Sequence, residues 1–152
     1  MKRVERALST AGLCAEILEM GAETRTAQQA ADAAGCELDQ IAKSIIFRGE
    51  TSGHVVLFIT AGGNRVSPER AGAVARQPLG KADAGLIRAE TGFAIGGVAP
   101  IGHLTPVTSF FDPRLLDFER VYAAAGTPRH IFAIAPAALL KLTGAQLAEF
   151  TV

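Results

Sequence analysis

A single α/β domain built on a mixed, largely antiparallel sheet is the fold class that the sequence predicts, and three observations predict it. Short β-branched, apolar runs are interspersed with segments of helical periodicity. Several of those runs are joined by turns too short for a crossover, which argues against a doubly wound parallel sheet. The third is size: 152 residues, 49% hydrophobic and 20% charged, suit one soluble globular domain over residues 1–152 with a core of its own.

Each element has its local reason. Val4, Ala7, Leu8 and Ala11 recur at helical spacing before Gly12 stops the helix, and residues 15–20 read as a brief extended piece. Thr26 is placed to cap a helix over residues 27–34, with Gln29 at the capping-box position and Gly35 just past its end. Residues 41–48 and 54–61 are two apolar, β-rich runs around the five-residue loop Gly-Glu-Thr-Ser-Gly, a hairpin closed by Gly62-Gly63-Asn64. Ser67 and Pro68 open a helix to Gln77, and Asp83 caps another that ends near Thr91. Residues 106–111 read as a strand and Asp112-Pro113-Arg114 as a turn into one helical turn at Leu115 and Leu116. Residues 119–124 look extended, Gly126-Thr127-Pro128 turns the chain, and residues 130–135 form a strand. Pro136 then begins a helix to Leu142, and residues 147–150 close the fold.

Composition excludes several classes. Fifteen basic residues balance fifteen acidic ones, so a protein gripping a long stretch of nucleic acid by its phosphates is not expected. No run reaches the roughly 18 apolar residues of a membrane span. The first residues lack the apolar segment of a secretory signal, so a cytoplasmic protein without a membrane partner is expected. Cys14 and Cys36 make neither a metal spacing nor a disulfide framework and read as buried thiols. There is no Gly-x-Ser-x-Gly elbow and no His-x-x-x-His pair, so neither a serine hydrolase nor a metal site is expected.

Two features remain. Residues 92–103, Gly-Phe-Ala-Ile-Gly-Gly-Val-Ala-Pro-Ile-Gly-His, hold four of the sixteen glycines. Such a loop offers backbone: it is either a tight structural turn or a set of N–H groups aimed at an anion or developing oxyanion. Lys43 is the second, since alternation puts it on one face with Ile41 and Ile45 in an otherwise apolar strand. It either snorkels from an edge strand, or is a fixed cation for a phosphate or carbonyl oxygen, or is an amine of depressed pKa in a dry pocket. His103 closes the glycine loop and His130 opens a strand; each is a candidate ring donor or proton shuttle beside the commoner structural role. Arg48, Arg65, Lys81 and Arg129 are further cations that could stand near a pocket mouth.

Taken together, Ile41-Ala42-Lys43-Ser44-Ile45-Ile46-Phe47, Lys81-Ala82-Asp83, Thr91-Gly92-Phe93, the run Gly96-Gly97-Val98-Ala99-Pro100-Ile101-Gly102, Asp112 with Leu115, and Ala124-Ala125-Gly126 resemble the YbaK-like family. These are aminoacyl-tRNA deacylases related to the editing insertion of bacterial prolyl-tRNA synthetases, and order and spacing match over roughly residues 20–150. The resemblance implies a curved, barrel-like sheet and hydrolysis in trans of mischarged tRNA, tRNA-Pro carrying a small non-cognate amino acid, without a cofactor. It implies the tRNA acceptor end as partner, with prolyl-tRNA synthetase a candidate second one. It makes Lys43 the functional signature and puts the Gly-x-x-x-Pro loop, Gly96 to Pro100, at the aminoacyl pocket. The resulting expectation is that Lys43 positions phosphate or ester and that Gly96 and Gly97 amides hold the oxyanion. Ser44, Ile45, Val98, Ala99, Pro100, His103 and His130 would surround the substrate. Two rivals stay open: a non-catalytic aminoacyl-tRNA or nucleotide-binding module using the same pocket, and an unrelated hydrolase with Ser44, Cys14 or Cys36 as nucleophile.

Overall fold

Two long strands in the middle of the chain organise everything else. The computed structural model describes residues 1–13, 16–21 and 26–152. In chain order its elements are α1 (Lys2–Thr10), β1 (Ile17–Glu19), α2 (Ala27–Ala34), a 3₁₀ turn (Leu38–Gln40), β2 (Ile41–Gly49), β3 (Val55–Ala61), α3 (Pro68–Ala75), β4 (Leu79–Lys81), α4 (Ala84–Thr91), β5 (Thr108–Phe111), a second 3₁₀ stretch (Pro113–Asp117), β6 (Val121–Thr127), β7 (His130–Ile134), α5 (Pro136–Thr143) and β8 (Gln146–Leu147).

The sheet is mixed, in the order β1-β7-β6-β2-β3-β5-β8, with β4 also against β2. The β2/β3, β2/β4, β6/β7 and β1/β7 pairs are antiparallel, and β2/β6, β3/β5 and β5/β8 are parallel. The α/β class with antiparallel pairing in the majority is therefore as the sequence predicts.

Burial explains why β3 holds the centre. Its whole sequence, Val-Val-Leu-Phe-Ile-Thr-Ala, is buried, as a strand covered on both faces must be. Leu57, Ile59 and Ala61 enter a large core with Phe111, Leu115, Val121, Phe132, Leu139 and, from α1, Val4 and Leu8. Val56 and Phe58 face a smaller one with Phe110, Phe150 and Ala71. There Phe58 stacks on Phe110 at 5.3 Å between centroids and meets Phe150 edge-on at 4.9 Å.

Several boundaries differ from the sequence reading. α3 stops at Ala75 because Arg76 turns left-handed (φ 59°). β5 begins at Thr108, two residues after Pro106. β6 runs on to Thr127, through residues read as a turn, because Thr127 pairs with His130 after a register shift beyond Ala124. β4 has no counterpart in the prediction. β2 is not an edge strand, as the snorkelling alternative for Lys43 required: β3 flanks one side, β6 and β4 the other. Residues 14 and 15, including Cys14, and part of the extended piece expected there lie outside the described residues.

Candidate functional site

The site is made by a parting of strands. On the side of β2 away from β3, β6 pairs only with Ile41 and Ala42, and β4 pairs only with Phe47, Arg48 and Gly49. Among the described residues no strand lies opposite residues 43–46 on that edge. A cavity of about 470 Å³ opens there, within the roughly 300–1,000 Å³ of small-molecule sites. Thr26, Ala27 and Ala30 of α2 bound it, with Ala82, Ile87 and Val98, and with Tyr122, Ala123, Ala124 and Ile131. Lys81, Ile95 and Gly96 complete the lining. Small alanines on α2 and β6 are what leave the room.

Lys43 lines this cavity with Ser44 and Ile45. Register fixes their directions: Lys43 is opposite Thr60 and Ile45 opposite Phe58, so both share a face with the smaller core. Ser44 is opposite Ile59, on the face of the larger core to which Val98 and Ala99 belong. The lysine and the glycine loop thus meet the cavity from the two faces of the sheet, and the gap in pairing connects them. Lys43 Nζ donates to the Gly62 carbonyl at 3.2 Å. Partial burial, followed by the charge of Arg65, pulls its pKa below the ordinary lysine value, against Asp39 and Asp112, which favour the charged form. Those carboxylates are fixed in turn: Asp39 accepts from Gly63 N–H at 2.8 Å and from Arg114 Nε at 3.0 Å, and buried Asp112 accepts from Ala61 N–H, Asn64 Nδ2 and Arg114 N–H.

The glycine loop divides its labour. Gly96 sits at φ +92° with nothing within 4 Å of where a Cβ would stand, and among the described residues its N–H has no acceptor. Gly97 is packed instead. A Cβ there would lie 3.0 Å from Thr127 Cα, so the loop rests backbone to backbone on the end of β6, and its N–H is spent on the Ala94 carbonyl at 3.1 Å. Of the expected pair of oxyanion donors, the Gly97 amide is thus engaged in the turn and the Gly96 amide is not. Ala99 is fully buried and Pro100 borders another cavity.

Both histidines stand elsewhere. His103 lines the cavity that Pro100 borders, and its Nε2–H donates to the Ala99 carbonyl at 2.8 Å while its ring meets Phe93 edge-on. Since a carbonyl only accepts, the bond fixes the Nε2–H tautomer, and burial holds the ring below the ordinary histidine value. His103 braces the back of the loop. His130 lines a third cavity with Met1, Glu5 and Leu8. The Thr127 hydroxyl, which accepts from Arg129 N–H, lies 2.6 Å from His130 Nδ1 and can donate to it. His54, 3.1 Å from Glu90, is well exposed.

Of the residues expected at the site, Lys43, Ser44, Ile45, Gly96 and Val98 come together; Gly97, Ala99, Pro100, His103 and His130 do not line the cavity with them. The sequence reading missed Thr26, Tyr122 and Ile131. Lys81, named only as one of four stray cations, does line it. Cys36 is half-buried rather than buried, packs against the α2 cluster and does not line the cavity, and its partial burial raises the thiol pKa, which disfavours the thiolate a nucleophile needs. Among the described residues no carboxylate, histidine or cysteine lines the cavity, and none forms a cluster able to hold a metal ion.

Comparison with known proteins bears on this geometry. Residues 21–142 match the aminoacyl-tRNA editing domain family. A solved structure described as a candidate trans-editing enzyme for prolyl tRNA synthetase superposes with a TM-score of 0.92 at 45% identity, covering 99% of this chain and 96% of the other. A Bacillus subtilis protein without an assigned role, YwhH, is 30% identical over 90% of this chain and 81% of its own length. EbsC of Enterococcus faecalis, named as a candidate Cys-tRNA(Pro)/Cys-tRNA(Cys) deacylase, is 26% identical over 83% of this chain and 77% of its own.

Proposed function

The chain belongs to the aminoacyl-tRNA editing domain family, and from that premise we propose that it hydrolyses in trans the ester of tRNA-Pro charged with a small non-cognate amino acid. Aminoacyl-tRNA deacylation is the activity of the family. The observation that carries the finer reading is the cavity at the unpaired edge of β2, where Lys43, Ser44 and Gly96 share a lining without a nucleophile–base pair.

An aminoacyl ester is already activated, so placement and charge stabilisation suffice. Water's oxygen bonds to the carbonyl carbon, and the tetrahedral oxyanion is held by the Gly96 N–H on one side. Lys43 on the other side positions the ester or terminal phosphate. The ester C–O bond then breaks, one of the water's protons passes to the departing ribose oxygen and the other to solvent, and the amino acid departs as its carboxylate. The apolar walls, Ala82, Ile87, Val98 and Ala123, suit a small side chain and shield the charge from bulk water.

Zero net charge fits a reader of the acceptor end, which touches few phosphates, with prolyl-tRNA synthetase a candidate supplier of grip on the tRNA body. The test is a deacylation panel of tRNA-Pro bearing alanine, cysteine, serine, threonine or 2-aminobutyrate. Release of at least one, and not of proline, is expected. No release at micromolar protein would leave only a binding module. If the same ester is hydrolysed equally on unrelated tRNAs, the assignment to tRNA-Pro fails.

A further inference from the structure

Among the described residues the cavity is lined by two lysines and no carboxylate, yet every aminoacyl ester carries an α-amino group into it. Resting on the deacylase reading above, we infer that the main-chain edge of β2 at Ser44 is the subsite for that amino group, with the Ser44 carbonyl and hydroxyl accepting its N–H bonds.

Strand geometry gives the direction. Gly49 N–H donates to the His54 carbonyl at 2.9 Å across the β2/β3 hairpin. Because bonding alternates along an antiparallel pair, odd-numbered residues of β2 spend their peptide groups on β3, and Ala42, Ser44, Ile46 and Arg48 face the opposite edge. Ala42 meets β6 there and Arg48 meets β4. Ser44 falls between them with no described residue paired to it on that edge. Its side chain adds a second, independent sign: Ser44 Oγ is buried and has no hydrogen-bond partner. Native structures pair more than about 90% of such buried groups, and leaving one unmet costs about as much as a lost hydrogen bond. Two acceptors side by side at the wall of a substrate cavity therefore mark the place of a ligand's donor.

The chemistry of the lining selects which donor. An α-ammonium group offers only N–H bonds to make, a carbonyl only accepts, and a hydroxyl can rotate to accept. Lys43 and Lys81 are donors and cannot take this part, and Lys43 is drawn aside by the Gly62 carbonyl. With the amino group at Ser44, the aminoacyl carbonyl lies between β2 and the loop at Gly96. A substrate whose nitrogen is absent should therefore be handled poorly whatever its side chain.

The experiment compares the alanyl and lactyl esters of one tRNA, with the seryl and glyceryl esters as a second pair. Each exchange swaps the amino group for a hydroxyl of similar size. Every enzymatic kcat/KM is divided by the spontaneous hydrolysis rate of that ester, because the ammonium group also activates the ester chemically. A normalised drop of about tenfold or more for the 2-hydroxy esters is expected, the size of one charge-assisted hydrogen bond. Equal normalised values overturn the inference and leave the deacylase reading standing; where neither pair is hydrolysed the comparison is made on the panel ester that is, and hydrolysis of no panel ester overturns both. Ser44→Ala keeps the carbonyl, so part of the discrimination should persist; its complete loss overturns the assignment to the main chain.

Discussion

Replacing Lys43 by methionine keeps the length and apolar stem of the side chain and removes the ammonium group. The structural cost is small. Nζ makes one bond, to the Gly62 carbonyl at 3.2 Å, worth about 1.5–3 kcal/mol for a charged donor. Set against it is the cost of partly burying the charge, the same cost that lowers the amine's pKa, and methionine does not carry it. The two oppose each other and solvent screens both at this part-buried position, so stability should change by less than about 1 kcal/mol, a Tm shift of no more than about 4 °C for a chain of this size. Activity should respond far more. A fixed donor or cation aimed at developing charge contributes about 2.7–4 kcal/mol, or about 10²–10³ in kcat. Single-turnover deacylation of the best substrate in the panel, with thermal unfolding run alongside, reads both quantities. The pH arm separates two roles. If Lys43 acts as a cation, its contribution is present at neutral pH and fades as pH rises through its lowered pKa; if it acts as a base, background-corrected activity climbs over the same interval. A Lys43→Met protein that unfolds normally and keeps kcat/KM within about threefold of the parent would remove the lysine from the mechanism.

Three further outcomes follow from the loop and its supports. Gly97→Ala pushes a Cβ to 3.0 Å from Thr127 Cα, backbone that cannot rotate away, and should lose about 1–3 kcal/mol in urea unfolding; Gly96→Ala meets no neighbour but strains φ +92° by about 1–2 kcal/mol, and rescue of its activity by stabilising salts would argue against a role for its N–H. Burial holds His103 below its usual value of about 6.5, so under that pH the unfolded chain takes up a proton the folded chain refuses. Stability then rises with pH through that window and falls as pH drops through it. His103→Gln should lose less stability between pH 7.5 and 5 than the parent, and equal losses would refute the assignment. Asp112→Ala strands the N–H groups of Ala61 and Arg114 and the amide of Asn64, for about 2–4 kcal/mol by chemical denaturation, with Asp112→Asn milder.

The strongest local signals were legible in the sequence. The Thr26 and Gln29 capping box and the Gly35 stop bound α2 as expected, and the β2/β3 hairpin turns where its loop sequence says, because caps and turns are decided by a few neighbouring residues. β4 was not legible. Gln-Pro-Leu-Gly-Lys reads as punctuation, and its three strand residues exist only because β2 pairs with them. Within the site, Lys43 announced itself by standing in a greasy strand. Tyr122, Ala123 and Thr26 gave no sign, because their place at the cavity depends on where β6 leaves β2, a tertiary event without a local pattern. The histidines illustrate the opposite error: chemistry-capable residues beside a glycine loop drew attention, while their hydrogen bonds serve the loop and a strand end.

The parting of β4 and β6 gives a physical reason for this site to lie where it does. A central strand with an unpaired stretch is costly, since peptide groups cut off from water lose their hydrogen bonds. Four residues at about 3.4 Å each leave roughly 10–14 Å of open edge, long enough for an aminoacyl ester and its sugar but too short for another strand of ordinary length. The two ends are closed by pairings of two and three residues, so the gap is held open from both sides rather than by a flexible lid. A cavity made in this way presents main-chain acceptors and donors at fixed spacing, which is the equipment needed to hold an ester whose reactivity is already supplied by its own chemistry. On the proposed function, Lys43 then adds the charge that peptide groups lack, and the short apolar side chains around it limit the size of the amino acid admitted.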